Sequence, residues 1–297
     1  MDNCIKIERG DLVAYIAEPG KRYARTRFDW TGFIPQIYFK GHTFCTPEGD
    51  DWHTNDTGGE GLCNEFKASN IDMGFDNNNN FFLKPGVGLL ERTDDKPYHF
   101  AVDYRIKKPF PCTMQVGDDH IDFKLDAIEL DGLAYETNKH IGIINDMLII
   151  TTTIANIGEK PLHFREYNHN FLSINGLGAN PNVNLSLPKK YRNSVETEGL
   201  VTNEGSITFT DKIKSSFMIY CEDVDPYRPM RWKLYDERAN ISVQEFGDFN
   251  VTDFFAWGGP HVISPEVYGD FPVKPGMSRS WTRLWKFSID EVVYHGY

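Results

Sequence analysis

The sequence predicts an all-β protein, a large antiparallel β-sandwich, on three observations. Short runs of alternating apolar and polar residues recur along much of the chain, which is the two-residue period of a strand with one wet face. No helix-period stripe exceeds about three turns, whereas turn residues punctuate the chain throughout. Aromatic residues make up 14% of the 297, with 21 Phe, 14 Tyr and 6 Trp, a composition suited to pleated, half-buried surfaces. Many short strands without intervening helices make a sandwich or barrel rather than an α/β sheet. Large sandwiches commonly exceed the usual domain length, so residues 1–297 are expected to form one domain.

The chain opens on a hairpin, with 6–8 and 12–16 flanking the turn Arg9-Gly10-Asp11. Residues 19–80 loosen into aromatic and glycine-rich loops that carry Trp30, Trp52, Gly58-Gly59-Glu60-Gly61-Leu62 and Asn64-Glu65-Phe66. Loops of this length are functional or disordered, and the aromatics argue against disorder. Lys84-Pro85-Gly86-Val87-Gly88-Leu89-Leu90-Glu91-Arg92 reads as a turn into a strand. It lacks both the GKS ending of a P-loop and the GxGxxG spacing of a dinucleotide fold.

Ile121, Phe123 and Leu125 then alternate with Asp122, Lys124 and Asp126. Residues 141–155, rich in Ile and Thr, are a core strand or two that close at the turn Asn156-Ile157-Gly158-Glu159-Lys160-Pro161. Val183, Leu185 and Leu187 alternate with Asn184 and Ser186, and Ile207 with Phe209 and Phe217 with Ile219 behave alike. Ile241 and Val243 begin another strand and Phe254-Phe255-Ala256-Trp257 a further one; in 280–289, Trp281, Trp285 and Phe287 fall on one face. No internal repeat or linker is visible.

A net charge of -12 and a pI near 5.2 exclude partners that require a basic surface, so neither nucleic acid nor an anionic membrane is expected. Small neutral ligands fit better. Residues 1–20 are interrupted by Asp2, Lys6, Glu8, Arg9 and Asp11 and lack the apolar core of a signal peptide. No apolar run is long enough to span a bilayer, and the expectation is a cytoplasmic protein. Five scattered cysteines, Cys4, Cys45, Cys63, Cys112 and Cys221, read as buried free thiols rather than a disulfide framework. His42, Cys45, His53 and Cys63 crowd one loop-rich region, but their spacing matches no standard zinc pattern, so no metal is expected. A Ser-His-Asp hydrolase is disfavoured because there is no G-x-S-x-G.

Two stretches carry candidate chemistry. Arg165-Glu166-Tyr167-Asn168-His169-Asn170-Phe171 follows the most strand-like segment and sets a histidine between two amides and two aromatics. On its own such a histidine is more often a hydrogen-bonded structural residue. The second stretch is His261-Val262-Ile263-Ser264-Pro265-Glu266-Val267-Tyr268, with Lys274-Pro275-Gly276-Met277-Ser278 behind it. Glu266 is expected in a loop between two strands. There, partial desolvation would raise its basicity, and the plainer alternative is a solvated loop glutamate.

Taken together, His169 and Glu266 resemble the galactose mutarotase-like superfamily, the aldose 1-epimerases and their relatives. In that family an Asn-His-x-x-Phe-like segment follows a long central strand, and a glutamate precedes a closing Pro-Gly turn and a final aromatic strand. Asn168-His169-Asn170-Phe171-Leu172 looks like the first. Ser264-Pro265-Glu266-Val267-Tyr268, Lys274-Pro275-Gly276-Met277-Ser278 and Trp281-Thr282-Arg283-Leu284-Trp285-Lys286-Phe287 look like the second. The correspondence runs from about Lys84 to the C-terminus, and the family's large antiparallel sandwich agrees with the strand count.

The resemblance implies roles. His169 would be the general acid that protonates a sugar ring oxygen, and Glu266 the general base that takes the anomeric hydroxyl proton. Ring opening, rotation and reclosure would then exchange the anomers of an aldose or aldose derivative, with neither metal nor organic cofactor. Arg92 matches the family's first sugar-binding arginine by its place after Gly88-Leu89-Leu90-Glu91. Lys84, Asn168, Asp225 and the stacking platform Trp257 complete the expected sugar-binding set. The family's His-Gly-Gly segment is absent; His99 is the nearest candidate for its histidine, and Asp225 for its hydroxyl-gripping aspartate. These departures point to a divergent branch acting on another sugar. Two alternatives stay open: a non-catalytic carbohydrate-binding protein that stacks sugars on Trp30, Trp52 or Trp257, and a polysaccharide lyase or glycoside hydrolase. Hydrolysis usually needs two carboxylates flanking the bond. Oligomeric state is not indicated.

Overall fold

A computed structural model describes residues 1–49, 57–67, 74, 80–187, 191–193, 196–221, 224 and 232–289, with backbone alone for 191–193. Trp52, His53 and Asp225 lie outside the described residues. Strands β1 (Cys4–Arg9), β2 (Leu12–Ala17), β3 (Gln36–Phe39) and β4 (His42–Thr43) form a four-stranded sheet in that order. After β5 (Leu62–Lys67), strands β6 (Phe81–Lys84), β7 (Gly88–Glu91) and β8 (Arg105–Pro109) form a three-stranded one. Next come β9 (Cys112–Val116), β10 (His120–Leu125), β11 (Tyr135–Ile144), β12 (Met147–Asn156) and β13 (Leu162–Asn170). They are followed by β14 (Val183–Ser186), β15 (Tyr191–Asn193), β16 (Leu200–Asn203), β17 (Ser206–Phe209) and β18 (Phe217–Cys221). The chain continues through β19 (Trp232–Asp236), β20 (Ile241–Gly247), β21 (Val251–Gly259), β22 (Val262–Val273) and β23 (Ser278–Ile289).

Two large sheets dominate. One has ten strands in the order β16-β17-β14-β19-β20-β23-β12-β11-β10-β9, the other six in the order β15-β18-β21-β22-β13-β5. Their long central pairs are antiparallel, and the two sheets face each other across the main core. Trp281 of β23 stacks on Phe271 of β22 at 3.9 Å, and Phe66 of β5 meets Trp281 edge-on at 6.4 Å. This is the interdigitated inner layer of a sandwich. In β12, buried and half-buried residues alternate along the whole strand, so the period read from the sequence is the pleat itself. The stretch read as a core strand or two is a hairpin, β11 and β12, turning at Asn145 in a left-handed conformation (φ 54°) that asparagine tolerates.

Three segments differ from the sequence reading. Arg165–Asn170 is itself part of strand β13, whose last five residues are buried on both faces, so no alternation marked it. Residues 62–67, read as loop, form strand β5 beside β13, with Asn64 and Glu65 both buried. Glu266, expected in a loop, sits inside β22. Pro265 does not break that strand because its missing N–H falls at a gap in the ladder. The β13–β22 pairing ends at Tyr167↔Tyr268, and Ile263 exchanges both backbone bonds with Leu172. By the alternation of donors, position 265 therefore points toward the β13 side. There the Asn170 side chain donates to the Pro265 carbonyl at 2.5 Å.

Gly61 leads the chain into β5. Its φ is +64°, and a Cβ there would collide with the Ile34 carbonyl oxygen, so glycine is needed for both conformation and space. Among the described residues, no helix is long and apolar enough to cross a membrane.

Candidate active site

The outward face of the six-stranded sheet is set by the two-residue alternation of its strands. β13 and the residue after it turn Tyr167, His169 and Phe171 to this face, β22 turns Glu266 and Tyr268, and β5 turns Glu65 and Lys67. Phe255 and Trp257 of β21 and Met218 of β18 continue it. The N-terminal segment adds Arg27 and Glu48, and the β7–β8 connection adds Tyr98, His99 and Phe100, enclosing a cavity of about 600 Å³. That volume suits a small organic ligand.

His169 and Glu266, nearly a hundred residues apart in the sequence, meet here. His169 Nδ1 lies 2.8 Å from Glu266 Oε1. Nδ1 is itself buried, and Glu266 is the group it faces. The other ring nitrogen, Nε2, is 2.9 Å from Glu65 Oε2 and 3.1 Å from Arg27 Nη2. The ring stacks on Phe171 at 5.2 Å and meets Phe28 edge-on at 5.3 Å, which fixes its plane. Glu266 accepts from the Tyr268 hydroxyl at 3.2 Å and, more weakly, from the Ser264 hydroxyl at 3.4 Å.

The charges behind this pair form a buried chain. Arg27 donates from Nε to Glu65 at 2.8 Å and from Nη1 to Glu48 and Thr57, both at 2.9 Å. Burial alone would raise the Glu65 pKa, but Arg27 first, then the hydrogen-bonded His169, hold it well below the usual carboxylate range. For His169 the balance runs the other way. Burial, and to a lesser degree Arg27, push its pKa down, yet Glu266 and Glu65 outweigh them and raise it above the ordinary 6.5. The shift favours the imidazolium of His169, which lies between Glu65 and Glu266, and a histidine biased toward its protonated form suits the acid of an acid–base pair.

The expected sugar-binding residues are placed unequally. Trp257 lines the cavity, half-buried and edge-on to Phe171 at 6.2 Å, so part of its ring can stack on an apolar sugar face. His99 also lines it. Asn168, one residue from His169, necessarily turns to the opposite face, where its amide donates to the His169 carbonyl at 2.8 Å. Arg92 follows β7, bonds the Asn80 carbonyl through its backbone at 2.8 Å and does not border the cavity. Asp225 lies outside the described residues.

Lys84 is fully buried, away from the cavity lining, and its ammonium donates to the Phe66 carbonyl at 2.6 Å. Burial pushes its pKa down to about 8. Because the unfolded chain stays protonated to higher pH, stability should rise between about pH 8 and the ordinary 10.5 as the native lysine loses its proton first. Lys84→Met is expected to remove that rise, measured by urea unfolding against pH, and to change ligand affinity by less than about twofold.

The sequence reading missed Arg27 and Glu48, which sit in no motif, and took Glu65 for a loop residue. A signal for Glu65 exists: Leu62, Asn64 and Phe66 take one face and Cys63, Glu65 and Lys67 the other. Its polar members on both faces masked the strand. Among the described residues, no three His, Cys, Asp or Glu side chains group so as to hold a metal ion.

No protein-family model matches this sequence, and no curated protein does. Solved structures do match. A galactose mutarotase-like protein from Clostridium acetobutylicum is similar over 96% of this chain and 95% of its own, at 12% identity and a TM-score of 0.57. The Slr1438 protein of Synechocystis sp. PCC 6803 is similar over 97% and 96%, at 13% identity and a TM-score of 0.58. The GalM/aldose epimerase homologue from C. elegans is similar over 97% and 99%, at 10% identity and a TM-score of 0.51. Likeness at such identities establishes the fold: the chain carries the galactose mutarotase-like β-sandwich that its sequence predicted.

Proposed function

We propose that the protein is an aldose 1-epimerase, an isomerase that exchanges the α and β anomers of a free aldose or aldose derivative. The observation that carries this reading is the 2.8 Å approach of His169 Nδ1 to Glu266 Oε1 at the wall of the cavity. The ring oxygen and the anomeric hydroxyl of a sugar are bonded to one carbon, so the acid and base that serve them must themselves be neighbours. His169, protonated, gives its proton to the ring oxygen while Glu266 accepts the hydroxyl proton. The C1–O bond of the ring breaks and the aldehyde C=O forms. After rotation about C1–C2, protonated Glu266 returns a proton to the carbonyl oxygen, and neutral His169 takes one from the chain hydroxyl as it attacks the other face.

Trp257 would carry the apolar face of the sugar. Trp257→Ala is expected to weaken sugar binding about tenfold, the worth of leaving roughly 60 Å² of apolar surface in water. Titration of the sugar that exchanges fastest measures this.

The names of the fold's relatives support a sugar ligand. Saturation-transfer NMR on a panel of free sugars tests the reaction, because anomeric exchange accelerated by the protein appears as transfer between the two C1–H resonances. If several sugars bind and none exchanges faster than in buffer, a non-catalytic carbohydrate-binding role replaces the proposal. Release of new reducing ends from an oligosaccharide would replace it with a hydrolase.

A further inference from the structure

We infer that Glu65 is a positioning residue for His169: it holds Nε2 as the permanently protonated nitrogen, so that Nδ1, facing Glu266, is the one that gives and takes the proton. This rests on the epimerase reading above. Three groups meet at Glu65 Oε2: Arg27 Nε at 2.8 Å and the Tyr167 hydroxyl at 2.7 Å donate to it, and His169 Nε2 lies at 2.9 Å. Arg27 Nη2, which can only donate, stands 3.1 Å from the same ring nitrogen, and Glu65 is the nearer of the two and favours the proton there. Arg27 Nε and the Tyr167 hydroxyl pin the carboxylate, and the pinned carboxylate pins the ring. A carboxylate on one imidazole nitrogen fixes the tautomer and leaves the other nitrogen to react, a division of labour used wherever a histidine shuttles protons. Here the far nitrogen faces the base, 2.8 Å from Glu266 Oε1.

The charged and titratable groups around the ring come from every element packed on it. Glu65 reaches it from β5, Glu266 and Tyr268 lie on β22, Tyr167 lies on β13, and Arg27 reaches it from the N-terminal segment with Glu48 behind. Arg27 opposes protonation of His169, and the two carboxylates favour it. Removing the Glu65 charge therefore leaves Arg27 acting against Glu266 alone. The proton on His169 should then be lost at lower pH, and the neutral ring should no longer be confined to the Nε2–H tautomer.

The test is a sugar-free titration of ¹⁵N-histidine-labelled protein, comparing wild type with Glu65→Gln. Wild-type His169 is expected to pass from the doubly protonated form to the Nε2–H tautomer. In Glu65→Gln its midpoint is expected to fall by about one pH unit or more, with both tautomers visible. The alkaline limb of the exchange rate should move by the same amount, with kcat falling more than KM rises. Tyr167→Phe guards against loss of folding in the first variant. It removes one donor, leaves the carboxylate freer to hold the imidazolium, and should move the midpoint up. An unmoved midpoint and tautomer in Glu65→Gln, or no upward shift in Tyr167→Phe, overturns the role given to Glu65. Because the titration needs no sugar, it stands apart from the epimerase reading, which falls if wild-type protein accelerates no exchange.

Discussion

His169→Asn and Glu266→Gln are each expected to lower kcat for anomer exchange by about 10² to 10⁴-fold, the usual worth of a positioned acid or base, while changing KM little. The two groups hand protons to oxygens on one carbon, so neither can act usefully alone. The double variant should be barely slower than the slower single one, because residues that work as a unit are not additive. Saturation-transfer NMR gives the rate directly, and full activity in either single variant would sink the assignment. The pH dependence follows from the direction of the His169 shift. Its folded pKa lies above the ordinary 6.5, so the acid form predominates below that value, and the alkaline decline in exchange should come as pH rises through the raised pKa. The same linkage makes the contribution of His169 to stability fully present below about pH 6.5 and lost on the alkaline side.

How much of this was legible in the sequence depends on which surfaces each residue meets. β12 and β23 were readable because each shows two unequal faces to its surroundings. The identity of His169 and Glu266 as partners was readable only through family resemblance, since no local pattern joins residues on β13 and β22. What the sequence hid lies where both faces are buried. Asn64 and Glu65 on β5 are polar yet enclosed, each satisfied by a residue about a hundred positions away, and polar residues in succession read as loop. Pro265 misled in the same way. A proline normally ends a strand, and only the local gap between β13 and β22 makes it harmless. Lys84 and Arg92 looked like ligand-binding cations because charge suggests solvent. The burial of Lys84 follows from the hairpin packing of β6 and β7, which composition does not encode.

The largest effect on stability is expected from Arg283→Met. Arg283 on β23 is 2% exposed and reaches across the sandwich. It donates to Glu166 of β13 at 3.0 Å from Nε and 2.7 Å from Nη2, to Glu245 of β20 at 2.7 Å and to the Val267 carbonyl of β22 at 2.9 Å. Burial would push its pKa down, but the two carboxylates outweigh that and raise it, so the guanidinium stays charged at the core. Glu245 also accepts from Trp232 at 2.7 Å and from Asn170 at 3.2 Å, and Asn170 in turn accepts from Trp285 at 2.8 Å. Removing the cation strands two carboxylates between the sheets, a loss of about 3–5 kcal/mol, read as a lower urea midpoint at unchanged slope. Replacing all three ionic residues with apolar ones of similar volume should recover most of it, because the desolvation of the carboxylates disappears with them. A loss below about 1 kcal/mol in Arg283→Met would mean that water reaches the carboxylates. Glu166 and Asn170 lie on the inner face of β13, opposite the face that carries His169, so the network that joins the sheets also fixes the strand that carries the acid. Arg283→Lys, which keeps the charge but cannot bond both carboxylates with a rigid fork, should therefore lower kcat as well as stability.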